Sequence, residues 1–230
     1  MSESVPMSII ARIRTDFPTK FGIPRQSGLV EELRGVVVFE PEYRNPDALR
    51  GMEGFSHLWL LWQFSEAVRD TWSPTVRPPR LGGNERMGVF ATRSPFRPNA
   101  IGLSCVKLEG VELHTPDGPM IEVSGVDLMD GTPIFDIKPY VPYVDAHPDA
   151  LGGFASTRPQ HLDVDIPPQL LALLPESRRA ALAGVLACDP RPSYQDDPAR
   201  VYGLDFGGYN IKFTVDGDKL TVHEIKPLEE

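Results

Sequence analysis

Only two cysteines occur in the chain, Cys105 and Cys188, far apart and in different kinds of segment. A disulfide framework is therefore not expected, and a reducing, cytoplasmic setting is. No apolar run approaches the ~20 residues that a membrane helix needs. The opening MSESVPMSIIARIR has no basic stretch ahead of an apolar one, so no secretory signal is expected. The five histidines, His57, His114, His147, His161 and His223, show no metal-ligand spacing among themselves or with the cysteines. No metal is expected from them. A glycine fingerprint opening a helix after a strand, a P-loop and a serine nucleophile elbow are all missing. Cations are also short: 23 Lys and Arg against 32 Asp and Glu leave a net charge of −9. That argues against indiscriminate nucleic-acid binding.

What the chain does have is proline and a local excess of arginine. Its 24 prolines in 230 residues are about twice the usual share and read as stiff connections between short elements. From Arg77 to Arg97 five arginines face one acid, Glu85, while acids gather at Asp163–Asp165, Asp196–Asp197 and Glu229–Glu230. An acidic protein with one basic face is compatible with RNA binding at that face. The densest part of the stretch is RMGVFATRSPFRPNAIGLS, residues 86–104. Pro95 and Pro98 fix φ and hold Ser94 and Arg97 extended, so the loop is shaped before anything binds. Arg86, Arg93 and Arg97 add rigid forks of donors suited to carboxylate or phosphate.

The first 140 residues read mainly as strands. Ser8–Ile13, Gly35–Glu40, Phe55–Phe64, Met87–Ala91, Leu103–Leu113 and Met120–Leu128 are rich in β-branched or aromatic residues and bounded by turn formers. FSHLWLLWQF is nearly all apolar, which places it at the centre of a core with His57 as a core histidine. Asp117-Gly118 reads as a turn. Many short strands with little helix between them predict a barrel or sandwich. Residues 150–160 read as a linker. Pro167–Ala187 has helical periodicity interrupted by Pro175, and Tyr209–Val215 with Lys219–Ile225 reads as a hairpin around VDGDK. The expectation is a mainly β chain with a barrel-like domain at 1–150 and a smaller α+β domain at 160–230.

Three more segments look like sites as well as turns: Gly22–Gly28 with Arg25 and Gln26, Asp127–Pro133 with two carboxylates, and Asp189–Tyr194 with Arg191 between prolines. Together the strings FGIPRQSGLV, GFSHLWLLWQF, TVRPPRLGGNERMGVFATRSPFRPNAIGLS, LMDGTPIFDIKPYVPYVD and DPRPSY resemble the TrmO (YaeB/TsaA-like) family in content and order. The resemblance implies an antiparallel, non-Rossmann β-barrel with a small C-terminal α+β domain, assembled as a homodimer. It implies S-adenosyl-L-methionine as cofactor and N6-methylation of threonylcarbamoyladenosine in the tRNA anticodon loop as the reaction.

Carried over by position, the resemblance assigns the cofactor to Pro24, Arg25, Gln26, Arg93, Leu103, Asp130, Gly131 and Thr132. Ser65 and Glu66 stand where relatives carry His-Gln, which puts those two contacts in question. It turns Arg77, Arg80, Arg86, Arg97, Asp189, Arg191 and Tyr194 toward tRNA. The acceptor nitrogen is urea-like, so loss of its proton should matter, and His57, Asp136, Tyr140 and Tyr194 are the candidate bases. Two alternatives remain at this level. One is the same barrel methylating another nucleoside or a small molecule; the other is a non-catalytic S-adenosylmethionine-binding module.

Overall fold

The computed structural model describes residues 5–192 and 195–228. Among these residues twelve strands and three α-helices follow one another. The strands are β1 (Ala11–Thr15), β2 (Arg34–Phe39), β3 (His57–Gln63), β4 (Thr75–Val76), β5 (Met87–Gly88), β6 (Ile101–Glu112), β7 (Met120–Ser124), β8 (Pro133–Pro139), β9 (Asp163–Asp165), β10 (Tyr202–Phe206), β11 (Tyr209–Asp216) and β12 (Lys219–Pro227). The helices are α1 (Pro142–Asp145), α2 (Pro168–Leu171) and α3 (Glu176–Ala187).

Six strands close an antiparallel barrel in the order β1-β2-β7-β6-β3-β8. Period-two alternation sends one side chain in two inward. Ala11, Ile13, Val37, Phe39, Leu58, Leu60, Trp62, Val106, Ile121, Val123 and Ile134 fill the interior and are buried. Gly102 is required there, because a Cβ would come within 2.3 Å of the Trp62 indole. A second sheet, β10-β11-β12-β9, pairs β9 parallel to β12 and the rest antiparallel. Helix α3 buries Ala181, Leu182, Val185 and Leu186.

The two sheets share one apolar core. The seam is the connection 16–33. Phe17 meets Phe206 edge-on at 5.3 Å, and Arg178 of α3 pairs with Asp16 at 2.9 Å. The Gly207 amide donates to the Asp16 carbonyl at 2.8 Å.

Several sequence expectations shift. The first strand runs Ala11–Thr15, later than Ser8–Ile13. Met87–Ala91 keeps only two strand residues before a 3-10 turn at Val89–Ala91. Met120–Leu128 stops at Ser124, where Gly125 turns the chain at φ 72°. The strands β4, β8 and β10, and β9 inside the acidic run, were not anticipated. β3 is not uniformly buried: Leu58, Leu60 and Trp62 point in, and the residues between them are half-buried. His57 is its first residue and sits half-buried at one end of the barrel, so it is not a core histidine. Pro175 does split the helical segment into α2 and α3, and the hairpin forms as expected.

Candidate functional site

Antiparallel pairing sorts the connections by end. β1, β3 and β7 finish at the end where β2, β6 and β8 begin. Three connections therefore emerge together: 16–33, 64–100 and 125–132. They carry Pro24, Arg25 and Gln26; Ser65, Glu66 and Arg93; and Asp130, Gly131 and Thr132. Leu103 lies on β6 just below that rim, 48% exposed. Residues separated by up to a hundred positions are thus gathered by topology alone.

Side chains tie the rim together. Arg93 donates to the Gln26 side-chain carbonyl, joining the 64–100 and 16–33 connections. Lys20 lies 3.5 Å from Glu66, which brings the turn after β3 to the same place. The Gly28 amide donates to the Gly125 carbonyl at 2.9 Å, and the Cys105 amide to Ser27 Oγ at 3.1 Å. The Asp130–Thr132 turn is stitched to β1. Thr15 N–H donates to Asp130 Oδ1 at 2.9 Å, the Asp130 amide to the Phe17 carbonyl at 2.8 Å, and the Gly131 amide to the Ile13 carbonyl at 2.8 Å. Thr132 is buried and gives its hydroxyl to the Met129 carbonyl at 2.7 Å. What this turn offers outward is Gly131, at φ 73° with no atom within 4 Å of an added Cβ.

Sequence reading missed the group at the centre. Ser104, fully buried, donates to Asp127 Oδ1 at 2.5 Å and accepts from the Trp62 indole N–H at 2.9 Å. Burial pushes the Asp127 carboxyl up to about 6, against the opposing pull of the Ser104 hydroxyl, backbone amides including that of Ser27, and Arg93. Asp127 was visible only as one of two carboxylates in its string. Its partners come from two other strands, 23 and more residues away, so no local pattern marks it.

The candidate bases do not collect there. Tyr140 follows β8 and His57 opens β3, so both lie at the opposite end of the barrel, rings 6.1 Å apart. His57 Nδ1 shares a hydrogen bond with Ser56 Oγ at 2.9 Å. Asp136, on the outer face of β8, pairs with Lys138 at 2.7 Å. Tyr194 lies outside the described residues.

Among the residues expected to face tRNA, Arg191 is held within the protein. Its side chain is only 10% exposed and forks onto Asp189 at 2.9 and 3.0 Å. Asp189 adopts φ 53°, which aims its carboxylate back over the turn. Asp189 thus clamps Nε and Nη2, while the buried Nη1 has no hydrogen-bond partner among the described residues. Arg191 lines a cleft of about 290 Å³ with Lys20, Pro24 and Arg25, so residues 189–192 and 20–25 face each other. Arg80 donates to the Thr157 carbonyl and hydroxyl, Arg86 to Thr75 Oγ1 at 3.3 Å, and Arg97 to the Thr92 carbonyl at 3.1 Å. No group of three or more potential metal ligands occurs among the described residues.

A closed antiparallel barrel whose arginines and glycine turns meet at one rim, with a small sheet docked beside it, matches a known class of tRNA methyltransferases. The N-terminal domain model of tRNA-methyltransferase O matches residues 12–146, and the TrmO C-terminal domain model matches residues 159–228. The chain belongs to the TrmO family. It is 42% identical over 229 residues to the tRNA (adenine(37)-N6)-methyltransferase of Escherichia coli, covering 95% of this chain and 96% of that one. A Pseudomonas aeruginosa protein provisionally described as an S-adenosylmethionine-dependent methyltransferase is 45% identical over 212 residues, 89% of each chain. The crystal structure of TrmO from P. aeruginosa superposes with a TM-score of 0.81 at 35% identity over 99% of both chains.

Proposed function

We propose that this chain is an S-adenosylmethionine-dependent tRNA methyltransferase acting on N6 of adenosine 37, with threonylcarbamoyladenosine as the acceptor. The observation that carries the reading is the Arg93–Gln26 bond joining PRQ to ATRS at the barrel end from which the DGT turn also emerges, in a chain that aligns over 95% of its length with the Escherichia coli enzyme.

The rim suits the cofactor chemically. Arg25 and Arg93 are exposed cations for a carboxylate, Gln26 supplies an amide, and Gly131 leaves the backbone open to close approach. Bound there, S-adenosylmethionine supplies an activated methyl group on its sulfonium. The chain's own work is positioning: oriented reactants can gain ~7–11 kcal/mol over free encounter. Arg93 holds Gln26 in place and is held by it. Asp127 and Ser104 fix the Ser27 end of the same loop. Glu66 is drawn to Lys20, so at this position the chain offers the turn's backbone.

On this reading residues 1–150 carry the cofactor and 160–230 face tRNA together with the arginines of 64–100. The enzyme is a metal-free cytoplasmic homodimer. The placement of His57 and Tyr140 at the opposite end of the barrel, and of Asp136 on the outer face of β8 beside Lys138, favours Tyr194 or a residue of a second protomer as the base.

Nucleoside mass spectrometry of threonylcarbamoylated tRNA incubated with the protein and S-adenosylmethionine tests the proposal. A gain of one methyl on that nucleoside is expected, absent with Arg93→Ala. No gain, with cofactor binding intact by calorimetry, would overturn the acceptor assignment. Loss of binding in the unmodified protein would overturn the cofactor assignment as well.

A further inference from the structure

Six arginines lie between residues 69 and 97: Arg69, Arg77, Arg80, Arg86, Arg93 and Arg97. Among the described residues none of them is within ion-pair distance of a carboxylate, although the chain carries nine more acids than bases. Arg12, Arg14, Arg34, Arg50, Arg178 and Arg191 all have such partners. In an acidic protein, a segment whose cations form no ion pairs preserves a local positive field for an outside anion.

The same segment exposes aromatic rings. Trp72 is 53% and Phe90 72% exposed, with ring centroids 6.1 Å apart and planes at 35°. The β4–β5 hairpin fixes their relation to the charges. Thr75 pairs with Gly88 and Val76 with Met87. The next residues along that ladder are Arg77 and Arg86; Trp72 and Phe90 flank its other end. Isolated exposed apolar residues are ordinary. A pair of large rings held together at the end of a hairpin whose other end carries two uncompensated guanidinium groups is not.

We propose that the β4–β5 hairpin docks the unpaired bases of an RNA loop, with Trp72 and Phe90 as the stacking floor and Arg77 and Arg86 on the adjoining phosphates. The inference rests on the tRNA assignment above and names the surface that receives it. Sequence-tolerant stacking on aromatic faces beside a cationic track is how proteins hold single-stranded nucleic acid. The two-residue strands make a small platform, so the hairpin fits a splayed loop rather than a duplex.

The test compares the wild-type protein with Trp72→Ala/Phe90→Ala and with Trp72→Phe/Phe90→Tyr, using threonylcarbamoylated tRNA and an anticodon stem-loop RNA carrying 2-aminopurine in its loop. The alanine pair is expected to raise KM for tRNA about tenfold or more, the usual cost of losing a stacked base. It should also abolish the change in 2-aminopurine fluorescence on binding. Maximal turnover and S-adenosylmethionine affinity should stay within about twofold of wild type, and the aromatic pair should restore KM. An unchanged KM in the alanine pair overturns the proposal. So does a change in sedimentation mass, which would mean the rings cover a second copy of the chain. A wild-type protein that neither binds nor methylates tRNA overturns the functional reading and this surface together, and the parallel wild-type arm reveals it.

Discussion

Two long connections leave the same end of the barrel and are built in opposite ways. Residues 16–33 are sewn into the core: Phe17, Pro24, Val30 and Leu33 are buried, and Asp16 is held by Arg178 and Gly207 of the second sheet. Residues 64–100 are twice as long yet bury only Pro78 and Val89. Their arginines bind neutral groups of the protein and no carboxylates. The first connection behaves as scaffold, and it presents Arg25 and Gln26 with little freedom. The second spends almost nothing on stability and leaves its charges and rings outward. A small cofactor needs a fixed cradle, whereas a large polyanion is held by a broad surface that gains its order on contact.

The sharpest way to break this contrast is a matched pair of truncations. Phe17→Ala removes a ring packed edge-on against Phe206 and should cost about 3–5 kcal/mol in denaturant unfolding. Phe90→Ala removes an equally large ring that is 72% exposed and should change stability by less than about 0.5 kcal/mol. Similar losses from both would mean that 64–100 is scaffold too.

Asp127 accepts from the Ser27 amide of the first connection, and its response to pH is the next largest effect. Its folded-state pKa lies at about 6, above the ordinary 3.8. Folding therefore favours the protonated form, and its contribution is greatest on the acid side. Stability should fall as pH rises from about 4 to 6 and then level, by about 3 kcal/mol for a shift of ~2 units. Glu109 has the opposite sign. Ser124, Lys107 and Arg34 hold it at about 2, below its ordinary 4.5, so its contribution is present above 4.5 and is lost as pH falls toward 2. Subtracting the unfolding curves of Asp127→Asn from those of the wild-type protein between pH 4.5 and 7 isolates Asp127. A difference that is flat across that range would remove it as the buried acid of the rim.

The Asp16–Arg178 pair gives a smaller effect. Both side chains are partly exposed, 20% and 37%, so the ion pair itself should contribute about 1 kcal/mol. Arg178→Ala should lower stability by that amount and leave S-adenosylmethionine affinity unchanged. A loss of cofactor affinity equal to the loss of stability would show that the seam sets the cradle's shape directly.

How far these differences can be read from sequence follows from their range. The Pro175 break and the VDGDK hairpin are local signals, and they appear where expected. β8 was missed because its prolines at both ends and the central Asp136 imitate a turn-rich site. β9 was missed because three residues, two of them acidic, look like solvated charge until β12 pairs with them. At the rim, the strings carrying Arg25, Gln26, Arg93 and Asp130 were legible as strings. Their meeting depends on strand order and could not be. The Trp62–Ser104–Asp127 chain and the capture of Arg191 by Asp189 are cases of the same limit. Burial decides both, and burial is a property of the closed barrel and the packed sheets.

The smallest expected effect bears most directly on the contrast, because it counts charges. If 64–100 meets tRNA phosphates, the logarithm of tRNA affinity falls linearly with the logarithm of salt concentration, by about 0.7 per phosphate contacted in single-stranded RNA. Arg77→Gln removes a guanidinium with no hydrogen-bond partner among the described residues, so protein stability should not change. The slope should fall by about 0.7 and the affinity should weaken evenly across tRNA sequences. Arg178→Gln, whose charge is already matched by Asp16, should leave the slope where it was. If both replacements lower the slope equally, the charge of the whole molecule governs binding and 64–100 has no special claim to the RNA. If only Arg77 does, the uncompensated arginines of that connection are the ones the polyanion reads.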